Sequence, residues 1–390
     1  MNITDDIVYV GVNDHDIDLF EGQYDVTANG MSYNSYVIRD EKVAVTDTVE
    51  IRFRDEWLGN VEAALDGRTP DYLIVHHMEP DHSANIKEFM DRYPQAKVVA
   101  TPAAFKMMAA YFGTDFPERK MVVKQDSQLV LGKHTLTFIT APMVHWPEVT
   151  FSYDETDKVL FSADAFGKFG ALDTDDPDDP AGWEPEARRY YFGIVGKFGK
   201  NVQAALKKLD GREIHAICPL HGPVLTEDVS SYVDLYDTWS SYQPEDHGIC
   251  IAYTSVYGHT KQAVEALAAQ LRERGAVVAV HDLARGDMAS AMSDAFRYDK
   301  LVLATTTYCG GIFPFMETFL NLLAEHSFQN RVVGLIENGS WAPAAARIMR
   351  SKLEDMSDSI LLTYTTVSIK GALDDDNRAQ IATLAEELTE

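Results

Sequence analysis

Short apolar runs separated by polar loops fill the first part of the chain. Tyr72-Leu73-Ile74-Val75, Thr135–Val144, Lys158–Ala163 and Ile214–Leu220 are each too short for a helix and read as strands. From Gly248 onward the pattern becomes a regular alternation of strand and helix. Five strands are predicted there: Ile249–Tyr253, Val277–His281, Lys300–Ala304, Arg331–Ile336 and Ile360–Thr366. Between them lie stretches such as Lys261–Arg272, with Val264, Leu267 and Leu271 at helical spacing. Five strands with intervening helices imply a doubly wound parallel sheet in the C-terminal half, and an α/β class overall. The join falls in Ser241–Gly248, a polar segment carrying Pro244 and Gly248, so the chain is divided into domains at 1–246 and 247–390. Each is long enough to bury its own core.

Every one of these N-terminal strands ends in potential metal donors. After Tyr72–Val75 comes His77-Met78-Glu79-Pro80-Asp81-His82; after Thr135–Val144 comes His145; Asp164 closes Lys158–Ala163, the return strand of a hairpin turned at Asp154–Asp157; His221 comes after Ile214–Leu220. Loops at one edge of a sheet stack bring distant residues together. Seven oxygen and imidazole donors converging on one pocket exceed what one tetrahedral ion takes, and suffice for two metals bridged by a carboxylate. Two-metal hydrolases often carry His-x-His-x-Asp-His at such a strand end, a nitrogen-rich set that suits zinc. Here Glu79 holds the second position, and mixed His/carboxylate ligation with open positions favours iron redox chemistry. A lone histidine is usually a hydrogen-bonded structural residue, and His76, His215, His247 and His281 are read that way.

Composition narrows the partners. With 61 acidic and 34 basic residues, the formal charge is −27, which disfavours nucleic acid and anionic membranes. The acidic segment Asp173–Pro180 reads as a solvated surface loop, with a calcium site as the alternative. Cys218, Cys250 and Cys309 are isolated, so neither a rubredoxin-type iron site nor a zinc knuckle is built in, and a reducing cytoplasm is the expected location. The N-terminus lacks the basic and apolar regions of a signal peptide, and no apolar run reaches membrane-span length.

The C-terminal half carries its own constellation. Thr254-Ser255-Val256-Tyr257-Gly258-His259-Thr260 comes after the first strand and enters a helix: a hydroxyl-rich turn whose free N–H groups favour an anion. GxGxxG and GxxxxGK[ST] are both absent. Thr306-Thr307-Tyr308-Cys309-Gly310-Gly311 lies after the third strand, and Asn338-Gly339-Ser340-Trp341 after the fourth. Glycines let the backbone approach a flat ring, on which Tyr308 or Trp341 could stack, although each aromatic could equally be core. All three loops lie at carboxyl ends of strands, where open α/β sheets bind ligands.

Order and spacing together resemble the flavodiiron proteins, along the whole chain. The matches are His77–His82, His145-Trp146-Pro147, Asp164 within Ser162–Gly167, His221-Gly222-Pro223, and the Thr254–Thr260 and Asn338–Pro343 loops. The resemblance implies an N-terminal metallo-β-lactamase-like αββα sandwich and a flavodoxin-like C-terminal domain binding FMN. It implies one iron on His77, Glu79 and His145, another on Asp81, His82 and His221, and Asp164 between them. Many members carry His-Gly where this chain has Glu21-Gly22, a departure that could alter hydrogen bonding around the irons. Two ferrous ions and a reduced flavin hold four electrons, enough to take O₂ to water; two electrons couple two NO into N₂O. The implied activity is therefore an O₂ or NO reductase fed by an external donor, a separate rubredoxin or reduced coenzyme F420. In the family a head-to-tail dimer brings one subunit's flavin to the other's irons, and a dimer or a dimer of dimers is expected. The alternative is a flavodoxin-like electron carrier fused to a lactamase-fold metal hydrolase.

Overall fold

The computed structural model describes residues 2–173 and 182–390, and these divide into two units at Asp237/Thr238. In the first unit, short and largely buried apolar runs build two sheets. One runs, in spatial order, Ile7–Tyr9, Tyr36–Ile38, Ala44–Thr46, Tyr72–Ile74, Lys97–Ala100 and Lys120–Val122. Its first two pairings are antiparallel and the remaining three parallel. The other runs Gln128–Val130, Thr135–Thr140, Thr150–Asp154, Val159–Phe161 and Ala216–Cys218, antiparallel until the last, parallel pair.

One core joins them. Ile7, Tyr36, Ile74 and Val99 from the first sheet and Leu136, Phe138, Phe161 and Cys218 from the second belong to the same buried cluster. Side chains from facing sheets interdigitate in this way when each sheet turns one apolar face inward. Helix Arg54–Leu65 packs against Tyr36–Ile38, and helix Gly199–Leu209 against Thr135–Thr140. The result is the αββα sandwich. Local signals fix the helix ends: Pro102 opens Pro102–Phe112, the Thr101 hydroxyl accepts from Ala104 N, and Gly113 closes it left-handed at φ 70°.

The apolar run Thr135–Val144 is not strand throughout. The strand stops at Thr140, where Pro142 has no N–H to give a ladder and Val144 N turns back to Ala141 O at 3.1 Å. His145 therefore stands on a hairpin loop between two strands, with a cis peptide to Val144. Beyond Asp173 the acidic segment lies outside the described residues.

The second unit is a single parallel sheet in the order Val278–Asp282, Asp246–Tyr253, Tyr298–Tyr308, Val332–Asn338 and Leu361–Ile369. Short strand Gly311–Ile312 folds back antiparallel on Thr307–Tyr308. Each predicted strand has its counterpart within a few residues, and the predicted helix Lys261–Arg272 runs His259–Glu273. Ile251, Val302, Ile336 and Val367 pack against Val264, Leu267, Ile381 and Leu384, so the inner strands read as near-continuous apolar runs while each helix turns one apolar face to the sheet. Residues 238–246, left in the first domain by the division at 246/247, cluster with this unit. Arg331 Nη1 donates to Tyr242 O at 2.9 Å, and Glu245 N to Arg297 O at 2.9 Å. Pro244 and Gly248 mark where a strand begins, whereas the packing changes earlier. Among the described residues no helix is long and apolar enough to cross a membrane.

Candidate metal centre and C-terminal cavity

The four strand-end loops of the first unit bring their donors together. His77, Glu79, His145 and Asp164 form one group and Asp81, His82 and His221 another, with donor atoms inside each group no more than 4.8 Å apart. In the first group, Glu79 Oε2 lies 3.2 Å from His77 Nε2 and 3.1 Å from His145 Nε2. Asp164 Oδ2 lies 3.1 Å from His145 Nε2 and 3.4 Å from His77 Nε2. In the second, Asp81 Oδ2 is 3.3 Å from both His82 Nε2 and His221 Nε2. The other oxygen of Asp164, Oδ1, faces this group, 3.4 Å from His82 Nε2 and 3.9 Å from His221 Nε2. One carboxylate thus addresses both groups.

Outer hydrogen bonds fix which ring atoms face inward. His77 Nδ1 lies 2.9 Å from Glu148 Oε1, and His221 Nδ1 donates to Ser32 O at 2.7 Å. Each ring then offers Nε2 to the pocket, the usual device by which an outer partner sets a ligand's tautomer. The loop backbone is pinned as well: Asp47 Oδ1 accepts from His76 N at 2.7 Å, and Glu148 Oε1 from Met78 N at 2.8 Å. His76 is a buried structural residue, bound to Asp47 Oδ2 at 2.6 Å and Ser152 Oγ at 2.7 Å.

Does this donor set suit cations? Both oxygens of Asp81 and Oδ1 of Asp164 are buried without a hydrogen-bond partner. Nε2 of His82 and Nε2 of His221 face each other at 2.9 Å. Donors bound at ~2.1 Å to a shared ion stand ~3.0–3.4 Å apart, close to the separations within each group. The protonation pattern agrees. Burial depresses His77, His82 and His145, yet Asp164, Asp81 and Glu79 lift all three above the ordinary histidine value, His145 to about 9. Burial raises Glu79 and Asp164, yet the imidazoles hold both well below the usual carboxylate range. The pocket concentrates negative charge and draws positive charge to itself. The residues fit a pair of metal ions.

Its walls include residues the sequence pattern did not point to. Phe20, Tyr33 and Tyr190 ring His221 at 5.3, 5.8 and 5.6 Å between centroids. Tyr190 is fully buried and its hydroxyl has no hydrogen-bond partner; burial and then Asp164 and Glu79 push its pKa well up. Glu21, exposed on the surface, sits at the pocket mouth with Phe20, Glu79 and Asp81; partial desolvation there and the neighbouring Glu79 push its carboxyl up.

In the second unit, a cavity of about 380 Å³ opens at the carboxyl ends of the strands. Of the expected residues, Ser255, Val256, Tyr257, His259, Thr260, Thr306, Thr307, Tyr308, Cys309, Gly310, Asn338, Gly339, Ser340 and Trp341 line it; Ala342 and Gly371 join them. Thr254, Gly258 and Gly311 do not. Thr254 lies beneath, its Oγ1 2.6 Å from Thr305 Oγ1, and Gly258 (φ 94°) supplies the turn into helix His259–Glu273. Ser255 Oγ accepts from Gly258 N at 3.1 Å and Lys261 N at 3.3 Å. The hydroxyls of Thr260 and Thr306 have no partner. Tyr257 and Trp341 stand in solvent, each 92% exposed.

Comparison with known proteins covers both halves. The model of the ODP family beta lactamase matches residues 31–222, and that of a flavodoxin domain residues 250–376. A nitric oxide reductase of Moorella thermoacetica is 30% identical over 357 residues, covering 90% of this chain and 89% of its own. A putative diflavin flavoprotein of Synechocystis is also 30% identical, but the chain spans only 59% of its length. Rubredoxin oxygen:oxidoreductase from Desulfovibrio gigas superposes with a TM-score of 0.91 at 26% identity, covering 100% of this chain and 97% of that one. The flavodiiron protein from Giardia intestinalis gives 0.91 at 25%, covering 99% and 96%. Lactamase-like donors, a flavodoxin-like cavity and a relative of nearly equal length converge, and the chain belongs to the flavodiiron protein family of oxidoreductases.

Proposed function

We propose that this protein reduces O₂ to water, NO to N₂O, or both, at two non-heme irons served by FMN. His77, Glu79 and His145 would hold one iron, Asp81, His82 and His221 the other, and Asp164 would bridge them. The observation that carries this reading is the split of Asp164: Oδ2 turns to one donor group and Oδ1 to the other. When bound, the irons and the flavin supply the reducing electrons and open coordination positions for a diatomic gas.

The chain's own residues do the remaining work. Glu148 and Ser32 hold His77 and His221 with Nε2 inward, so neither ring must reorient as the site fills. Glu79 in the second motif position adds a hard, anionic donor beside His145, which favours iron over the nitrogen-rich zinc set of hydrolases. Phe20, Tyr33 and Tyr190 exclude water from the His221 side. Tyr190 packs on His221 with its hydroxyl unpartnered, and burial and the nearby carboxylates hold that hydroxyl protonated. In the second unit, the free hydroxyls of Thr260 and Thr306 and the Ser255–Thr260 turn would receive FMN, with Tyr257, Tyr308 or Trp341 against its ring.

Relatives are named for each gas, the Moorella thermoacetica protein for nitric oxide and the Desulfovibrio gigas protein for oxygen. The latter name also supports rubredoxin as the donor, with reduced F420 the other candidate. We read the working form as a head-to-tail homodimer, or a pair of them, in the cytoplasm. The test compares anaerobic NO consumption with O₂ consumption, using one chemically reduced donor for both. Wild-type protein should consume at least one gas, and His145→Ala or Asp164→Ala should abolish that while FMN stays bound. Loss of FMN from either variant would contradict the assignment of the two sites to separate units.

A further inference from the structure

Two side chains expected to touch the flavin are engaged elsewhere. Asn338 exchanges a reciprocal pair of hydrogen bonds with Gly371: Asn338 Nδ2 donates to Gly371 O at 2.9 Å, and Gly371 N donates to Asn338 Oδ1 at 3.0 Å. Thr307 Oγ1 accepts from Ala344 N at 2.9 Å and Ala345 N at 3.2 Å, where helix Ala345–Met356 begins. Both tie one wall of the cavity to another. Directly before Asn338 on the same strand stands Glu337, only 7% exposed. Its Oε1 accepts from Ser368 Oγ at 2.9 Å, and its Oε2 from Ala346 N at 2.9 Å.

A carboxylate inside a parallel sheet is costly where an apolar residue would serve the core. This one satisfies both oxygens with neutral donors on two different elements. Ser368 lies on the strand that leads to Gly371, and Ala346 in the first turn of the helix that comes after Ser340–Ala342. Negative charge at a helix N-terminus is also favourable there. Two residues beyond Glu337 the packing admits no slack: a Cβ on Gly339 would come within 2.9 Å of Pro343 Cα and 3.1 Å of Thr307 Oγ1.

We propose that Glu337 is a positioning residue for the flavin: it locks the Asn338–Ala342 and Ser368–Gly371 segments into a cradle formed before the cofactor arrives. Preorganisation of this kind spares the binding step the cost of ordering loops. The proposal rests on reading this cavity as the FMN site. It places Thr307 and Asn338 as braces of the cradle, leaving Thr260 and Thr306 to offer free hydroxyls.

The test titrates FMN onto flavin-stripped full-length protein, tracking the quenching of flavin fluorescence, for wild type, Glu337→Ala, Glu337→Gln and Ser368→Ala. Glu337→Ala should raise the dissociation constant about tenfold or more, the scale of two lost charge-assisted hydrogen bonds. Glu337→Gln should stay within about threefold, since its amide oxygen can accept from Ala346 N–H while its NH₂ donates to Ser368 Oγ. Ser368→Ala, which removes one arm, should fall between. Unchanged affinity in Glu337→Ala overturns the proposal, as does a Glu337→Gln value as weak as that of Glu337→Ala. If Glu337→Ala does not fold, unchanged affinity in Ser368→Ala overturns it instead. Wild-type protein that binds no FMN would refute the flavin reading itself, an outcome separate from all of these.

Discussion

His77 reaches Glu148 through Nδ1, and the same Glu148 oxygen accepts from Met78 N, so one buried carboxylate orients the ring of a candidate donor and holds its loop. Glu148→Ala should therefore weaken metal binding about 10- to 100-fold, the usual effect of removing such a partner, measured by competition with a chelator. Unchanged affinity would mean that packing alone orients His77. The same chemistry acts structurally at His134, whose ring lies 2.9 Å from Asp154 Oδ2 and 3.3 Å from Asp6 Oδ2. The hydrogen bond to Asp154 lifts its pKa to about 9 against burial. A pKa raised on folding stabilises fully below the unfolded value near 6.5 and is lost as pH rises through 9. Urea unfolding midpoints should fall between pH 6.5 and 9.5 in wild type and fall less in His134→Gln; equal slopes would remove His134 from the account.

At the scale of elements, the strand ends were readable and their support was not. Each candidate donor comes one to seven residues after an apolar run, and a local pattern of that kind survives in sequence as periodicity. Asp47, Ser32 and Tyr190 reach the site from elements far away in the chain, and nothing around them marks that reach. Asp47 adopts a left-handed backbone, φ 51°, that its sequence neighbours do not announce. In the second unit, turn chemistry made the cavity visible at Ser255–Thr260, but the roles of Thr307 and Asn338 depend on hydrogen bonds to a helix start and to Gly371. The π-helical turn Tyr191–Val195 escaped for a similar reason. Its Gly193 lies under the Tyr24 ring, where a Cβ would come within 2.8 Å, and Tyr24 OH donates to Gly193 O at 2.7 Å. Gly193→Ala should lower stability by about 1–3 kcal/mol through overpacking, read from the denaturation midpoint; an unchanged midpoint would show that Tyr24 moves aside at no cost.

For the whole molecule, two units carry two sites with different chemistry. The first gathers carboxylates and imidazoles around buried, unpartnered oxygens; the second offers neutral hydroxyls and glycine-rich loops below exposed aromatics. A zinc hydrolase would have no use for the second, and a simple electron carrier would have no use for seven converging donors. On the proposed function both sites are loaded together, with iron in one and FMN in the other. The most direct measurement is elemental analysis and flavin extraction on one sample of the purified full chain. The purified chain should carry about two irons and about one FMN. Stoichiometric zinc without flavin would contradict it.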